Sequence, residues 1–70
     1  MKYIIFEKKY AILFPENIIH SDMASLFRST PTSAGHYSPE KGVYDRSETL
    51  NLESKPEDTE IIKKLLSNES

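Results

Sequence analysis

Two strand-length segments near the start of this chain are apolar on both faces, and this feature constrains the fold most. Lys2–Phe6 and Tyr10–Phe14 consist almost entirely of β-forming residues, and three charged residues separate them. Because side chains alternate along a strand, Tyr3 and Ile5 share one face of the first segment while Ile4 lies on the other. The pattern predicts a β-hairpin whose strands are buried on both sides.

A chain of 70 residues has few ways to cover two apolar faces. Ordering the chain costs about 1.5 kcal/mol per residue, and apolar residues at 37% of the chain offset only part of this. Cysteine is absent, which excludes disulfides and thiolate metal sites, and His20 and His36 are too few for a structural zinc site without carboxylates. We therefore expect helices on one face and a second copy of the chain on the other, which makes the protein a homo-oligomer.

The rest of the chain reads as a helix, a second hairpin and a final helix. The order β-β-α-β-β-α predicts a single α+β domain, 1–70, with residues 67–70 as a frayed tail. We expect a four-stranded antiparallel sheet with two helices packed on one face. The elements are a helix from His20 or Ser21 to about Arg28, strands Ser33–Ser38 and Val43–Leu52 around a Pro39–Gly42 turn, and a helix with the capping box Ser54 and Glu57.

Two polar segments of the predicted second hairpin are the candidates for a binding site. Small residues around Ser33, followed by His36, let a ligand approach closely and offer groups that contact phosphate. Arg46 can hold a phosphate or carboxylate through two hydrogen bonds, and Ser47 and Thr49 add hydroxyls. On neighbouring strands these side chains would line one concave site. The plainer interpretations are a close strand crossing for the first segment and a solvated strand face for the second.

The sequence disfavours several classes of function. It has no Gly-rich phosphate loop, metal-ligand cluster or nucleophile motif, so we expect no enzymatic activity and no cofactor. The consecutive His20-Ser21-Asp22 cannot adopt triad geometry and fits a helix start better. A net charge of −2 without a basic excess argues against nucleic-acid binding. Without a signal peptide or a long apolar segment, a cytoplasmic protein with no membrane partner is expected.

Four short motifs are spread along the chain. They are Met1-Lys2-Tyr3-Ile4-Ile5-Phe6, Leu13-Phe14-Pro15-Glu16, Ser33-Ala34-Gly35, and the segment from Ser47 through Asp58 that reads Ser-Glu-x-Leu-x-Leu-x-Ser-x-Pro-Glu-Asp. Together they resemble the motifs of a diffuse class of very short phage and prophage proteins. The resemblance implies a phage-encoded accessory protein that counters host defence in the host cytoplasm.

The leading hypothesis is a non-enzymatic homo-oligomer that sequesters a small phosphorylated ligand, such as a host nucleotide immune signal. The alternative is a protein–protein inhibitor of a host defence protein, anti-CRISPR-like or similar, which would dock through a strand edge or the acidic start of the last helix. The ligand-binding residues under the leading hypothesis are Ser33, His36, Arg46, Ser47 and Thr49.

Overall fold

The chain folds into a four-stranded antiparallel sheet, a two-stranded second sheet and two helices. The computed structural model describes residues 1–67. The elements are β1 (Lys2–Phe6), β2 (Tyr10–Phe14), α1 (His20–Ala24), β3 (Pro31–Ser38), β4 (Gly42–Tyr44), β5 (Arg46–Ser47), β6 (Leu52–Glu53) and α2 (Asp58–Ser67). The large sheet has the order β2-β1-β3-β4, and β5 pairs with β6. The predicted α+β class, with a four-stranded antiparallel sheet and two helices, is confirmed.

Strand β1 is the centre of the protein, as its two apolar faces predict. Tyr3, Ile4 and Ile5 are fully buried. The strand pairs antiparallel with β2 and β3, so that Ile4 lies opposite Ile12 on one side and Ala34 on the other. Directly paired residues share a face, and this register builds an apolar layer on each side of the sheet.

The two helices pack on opposite faces of the sheet, and the prediction that both pack on one face is wrong. Ile62 of α2 packs against Tyr3 and Ile5, while Met23 of α1 packs against the cluster that contains Ile4. Because β1 is apolar on both faces, each face needs apolar cover, and the chain itself supplies both covers. The sheet therefore does not require a second copy, and oligomerisation remains a prediction without this physical basis.

The predicted strand Val43–Leu52 is interrupted after Tyr44. Asp45 adopts a left-handed backbone conformation, with φ of 60°, which ends the pairing of β4 with β3 and sends the chain into the second sheet. Asn51, with φ of 54°, lies in the loop between β5 and β6. The predicted turn before β4 is present, and Gly42 has φ of +76° there, a conformation that glycine adopts without steric cost.

Both helices are shorter than the sequence signals suggest. Helix α1 ends at Ala24 rather than near Arg28. Ser54 does not cap α2, because its hydroxyl donates to a backbone carbonyl outside the helix. The carboxylate of Asp58 instead accepts the Lys55 N–H at 3.1 Å, which satisfies one of the free donors before the helix.

The predicted frayed tail, residues 67–70, begins at the residue where α2 ends. Ser67 is the last residue of the helix, and residues 68–70 lie outside the described part of the chain. Between residues 1 and 67, no helix is long and apolar enough to cross a membrane.

Candidate functional site

Three of the five predicted ligand-binding residues line a single open pocket of about 250 Å³. His36 comes from β3, Arg46 from β5, and Thr49 from the loop that follows β5. Lys2 of β1 and His20 of α1 line the same pocket. We call this the His36 pocket. It brings two cationic side chains and two imidazole rings together on the α1 side of the sheet.

The strand register explains why these residues meet. Lys2 lies opposite His36 in the β1–β3 ladder, and directly opposed residues share a face of the sheet. His36 lies opposite Tyr44 on its other side, and the two rings stack with centroids 5.7 Å apart. The left-handed Asp45 then turns the chain out of the large sheet, and Arg46 reaches the pocket from β5.

The His36 side chain is held on several sides. Its Nδ1 lies 3.0 Å from Glu16 Oε1, and its ring stands edge-on to the His20 ring at 5.9 Å. With Nδ1 donating to the carboxylate, Nε2 is the nitrogen that can face a ligand. Burial alone would raise the pKa of Glu16, but the hydrogen bond from the N-terminal ammonium and the charge of His36 outweigh it and lower that pKa.

His20 forms an inner wall of the pocket. Its side chain is buried, and Nε2 lies 2.9 Å from the carbonyl oxygen of Gly35. Only a protonated Nε2 can donate to a carbonyl, so the neutral ring carries its lone pair on Nδ1. Burial lowers the pKa of His20 below its ordinary 6.5. The ring is therefore neutral at pH 7 and positions His36 rather than contributing charge.

Arg46 and Thr49 are anchored at the pocket mouth. Arg46 Nη2 donates to Asn51 Oδ1 at 2.7 Å, which orients the guanidinium and leaves its other N–H groups for a ligand. Thr49 Oγ1 accepts the Ser21 N–H at 3.2 Å, and this bond ties the loop to α1. The mouth is thus preorganised by contacts within the chain, which reduces the entropy lost on binding.

The lining carries an excess of positive charge. Lys2 and Arg46 contribute two positive charges, and Glu48 contributes one negative charge. Lys2 Nζ also donates to the carbonyl of Ile18 at 2.8 Å, which fixes the ammonium close to the sheet. Ile19, which is 47% exposed, adds an apolar surface at the rim. The pocket therefore favours an anionic group beside an apolar or aromatic one.

Ser33 and Ser47 do not contribute to this pocket. Ser33 lies opposite Ile5 in the ladder, on the α2 face of the sheet, and is buried. It is three residues from His36, so strand alternation places the two side chains on opposite faces. Ser47 is also buried, and its Oγ accepts the Leu50 N–H at 3.2 Å. Both serines are buried away from the His36 pocket, so the prediction of a single site with all five residues is wrong.

Sequence reasoning missed Lys2, His20 and Ile19 as lining residues. Alternation along β1 could have placed Lys2 on the same face as Ile4, but only the pairing of β1 with β3 brings it beside His36. His20 and Ile19 carry no pocket signal, because they reach the site through the packing of α1 on the sheet. Tertiary packing, not local pattern, assembles this half of the pocket.

Comparison with protein families, with curated proteins and with solved structures finds no match for this chain. Among residues 1–67, no group of three or more histidine or carboxylate side chains is arranged to hold a metal ion.

Proposed function

We propose that this chain binds a small phosphorylated ligand in the His36 pocket and sequesters it without chemical change. The observation that supports this most directly is the convergence of Lys2, His36 and Arg46 on one open pocket. Phosphate is recognised by charge-assisted hydrogen bonds from such groups, and an arginine provides two of them in parallel.

Each lining group has a distinct part in this proposal. Arg46 holds the phosphate with the N–H groups that Asn51 leaves free, and Lys2 adds a second positive charge. His36 Nε2 can donate a hydrogen bond to the phosphate when it carries a proton, or accept a hydrogen bond from a ligand hydroxyl when it does not. Ile19 packs against the apolar or base-like part of the ligand. Binding needs only affinity, so a small domain without a catalytic constellation can perform it.

The size of the pocket bears on oligomerisation. A volume of about 250 Å³ lies below the roughly 300–1,000 Å³ typical of small-molecule sites. One chain would thus enclose a phosphate and part of a sugar but leave the rest of a nucleotide in solvent. We propose that the protein is a homo-oligomer in which a second copy, at the Ile19 rim, completes the site.

The nature of the ligand follows from the resemblance rather than from the pocket. Small phage and prophage accessory proteins are the class that the sequence motifs resemble, so we propose a host nucleotide immune signal as the ligand. A nucleotide fits the chemistry of the lining, because it combines an anionic phosphate with an aromatic base.

Isothermal titration calorimetry against cyclic and linear adenine nucleotides, with inorganic phosphate as the simplest probe, tests the proposal. Loss of one charge-assisted contact of about 1.5–3 kcal/mol lowers affinity about 10- to 150-fold, which is expected for Arg46→Ala. Arg28→Ala is the matched control, because Arg28 is exposed and outside the pocket, and it should leave the affinity unchanged. Absence of heat with every ligand at about 50 µM protein would refute the proposal.

A further inference from the structure

A second concave surface lies between β2 and α2, on the side of the sheet away from the His36 pocket. It encloses about 470 Å³, within the range of ligand-binding sites. Its floor is apolar, and its rim carries three lysines. We call it the lysine groove, and it is formed by Lys8, Lys9, Lys64, Ala11, Ile61 and Leu65, with Tyr10 beside them.

The groove lies at an open edge of the sheet. β2 is the outermost strand, and within residues 1–67 it pairs with β1 alone, so the backbone groups along its other edge have no strand partner. Tyr10 and Ala11 both line the groove, although consecutive strand residues point to opposite faces. The groove therefore extends around the strand edge, where Tyr10 is 56% exposed.

The charge of the groove favours an acidic occupant. Among the described residues, its lining contains three lysines and no acid. Lys8 and Lys9 lie in the turn before β2 and Lys64 lies on α2, so the positive charge flanks the open edge. This charge attracts an acidic strand and disfavours a basic one. The groove thus selects a partner of opposite charge.

The turn that carries Lys8 is fixed in place despite an unfavourable conformation. Glu7 and Lys8 both have positive φ, at 54° and 60°, although neither is glycine or asparagine. The Glu7 N–H donates to the Thr30 carbonyl at 3.0 Å, and the Lys8 N–H donates to Thr32 Oγ1 at 2.9 Å. These bonds hold Lys8 at the mouth of the groove, so its positive charge is already in position when a ligand binds.

We propose that the lysine groove binds an extended acidic segment of a partner protein, which adds to β2 as a fifth strand of the sheet. Its backbone pairs with the free edge of β2, as in other cases of strand addition. Because side chains alternate between the two faces of the sheet, its acidic residues lie on the α2 face over the groove and face Lys8 and Lys64, while its apolar residues lie on the other face beside Tyr10. This binding is separate from phosphate binding in the His36 pocket.

A labelled peptide of about eight residues that alternates Glu and Val tests this on the full chain by fluorescence anisotropy. We expect saturable binding that weakens with salt, and a loss of about tenfold or more for both Lys8→Glu and Lys64→Glu. Lys63→Glu is the matched control, because Lys63 is exposed on the same helix but does not line the groove. A change below about twofold is expected for it.

Two comparisons separate strand addition from other modes of binding. Methylation of alternate backbone nitrogens of the peptide should abolish binding if the peptide pairs with β2, and unchanged affinity would overturn strand addition. Decanoate tests whether the groove is a site for a small anionic amphiphile, and tighter binding of decanoate than of the peptide would also overturn the proposal. The proposal would also be overturned if Lys63→Glu and Lys64→Glu lost peptide affinity equally, or if no peptide bound at about 1 mM.

Discussion

Replacing Tyr3 by Phe removes one hydroxyl from the centre of the protein and should destabilise it strongly. Tyr3 is fully buried, and Asp58 is 2% exposed. The hydroxyl donates to Asp58 Oδ2 at 2.7 Å, and the remaining hydrogen bond to that oxygen comes from the Lys55 N–H. The substitution leaves a buried carboxylate with one donor fewer, in the link between β1 and the start of α2.

The expected loss follows from the character of this bond. Hydrogen bonds to charged groups contribute about 1.5–3 kcal/mol, so the free energy of unfolding should fall by about 2 kcal/mol. For a domain of this size, each 1 kcal/mol shifts Tm by about 4–8 °C, which predicts a fall of about 8–16 °C. Urea unfolding followed by circular dichroism measures the first quantity, and thermal unfolding measures the second.

The pH dependence gives the same bond a second test. Burial, reinforced by the hydrogen bond and charge of Asp58, raises the pKa of Tyr3 well above its ordinary 10.0. Above pH 10 the unfolded chain loses this proton while the folded chain retains it, so stability present below pH 10 declines as the pH rises, by up to about 1.4 kcal/mol per pH unit. Tyr3→Phe should remove the contribution of this residue.

Tyr10→Phe is the matched control, because Tyr10 is 56% exposed. It should change the free energy of unfolding by less than about 0.5 kcal/mol. A Tyr3→Phe variant as mild as Tyr10→Phe would refute the stabilising role of the Tyr3–Asp58 hydrogen bond. A loss of stability above pH 10 that persists unchanged in Tyr3→Phe would refute it as well.

Three further substitutions test other parts of the fold by urea unfolding. Glu7→Gly should stabilise the protein by about 1 kcal/mol, because Glu7 has φ of 54° and a left-handed conformation is costly for a residue with a Cβ; a loss of stability would contradict this. Gly35→Ala should destabilise it by about 1–3 kcal/mol, because the new Cβ would lie 2.7 Å from the Tyr44 carbonyl oxygen; a neutral result would show that β4 can move. Because burial lowers the pKa of His20 below 6.5, the unfolded chain takes up this proton first, and stability should decline as the pH falls below about 6.5. His20→Gln should flatten that decline, and an unchanged slope between pH 7.5 and 5 would count against a neutral buried ring.

Much of the fold could be predicted from the alternation of apolar residues in β1. The segment from Tyr3 to Ile5 predicts burial on both faces, and the structure buries it fully. The alternation of apolar residues does not show which segments of the chain cover the two faces of the sheet. Ile62 and Met23 approach from opposite sides, and this depends on how two short helices pack, which local patterns do not encode.

The candidate site could be predicted in part. The predicted second hairpin brings His36 and Arg46 near each other, and both line the His36 pocket. The path of the chain between these two residues differs from the predicted hairpin, because Asp45 has a left-handed backbone conformation. No glycine at this position signals that conformation in the sequence. Ser33 could have been placed correctly by counting alternation from His36. Lys2 could not, because its place in the pocket depends on the register between β1 and β3.

A two-dimensional ¹H–¹⁵N NMR titration of the full chain with adenine nucleotides is the direct test of ligand binding in the His36 pocket. We expect saturable shifts at the backbone amides of His36, Arg46 and Thr49, with the amides of the lysine groove unmoved. Arg46→Ala should suppress these shifts while the rest of the spectrum stays folded. A spectrum unchanged by every nucleotide, or shifts confined to surfaces away from the His36 pocket, would contradict it.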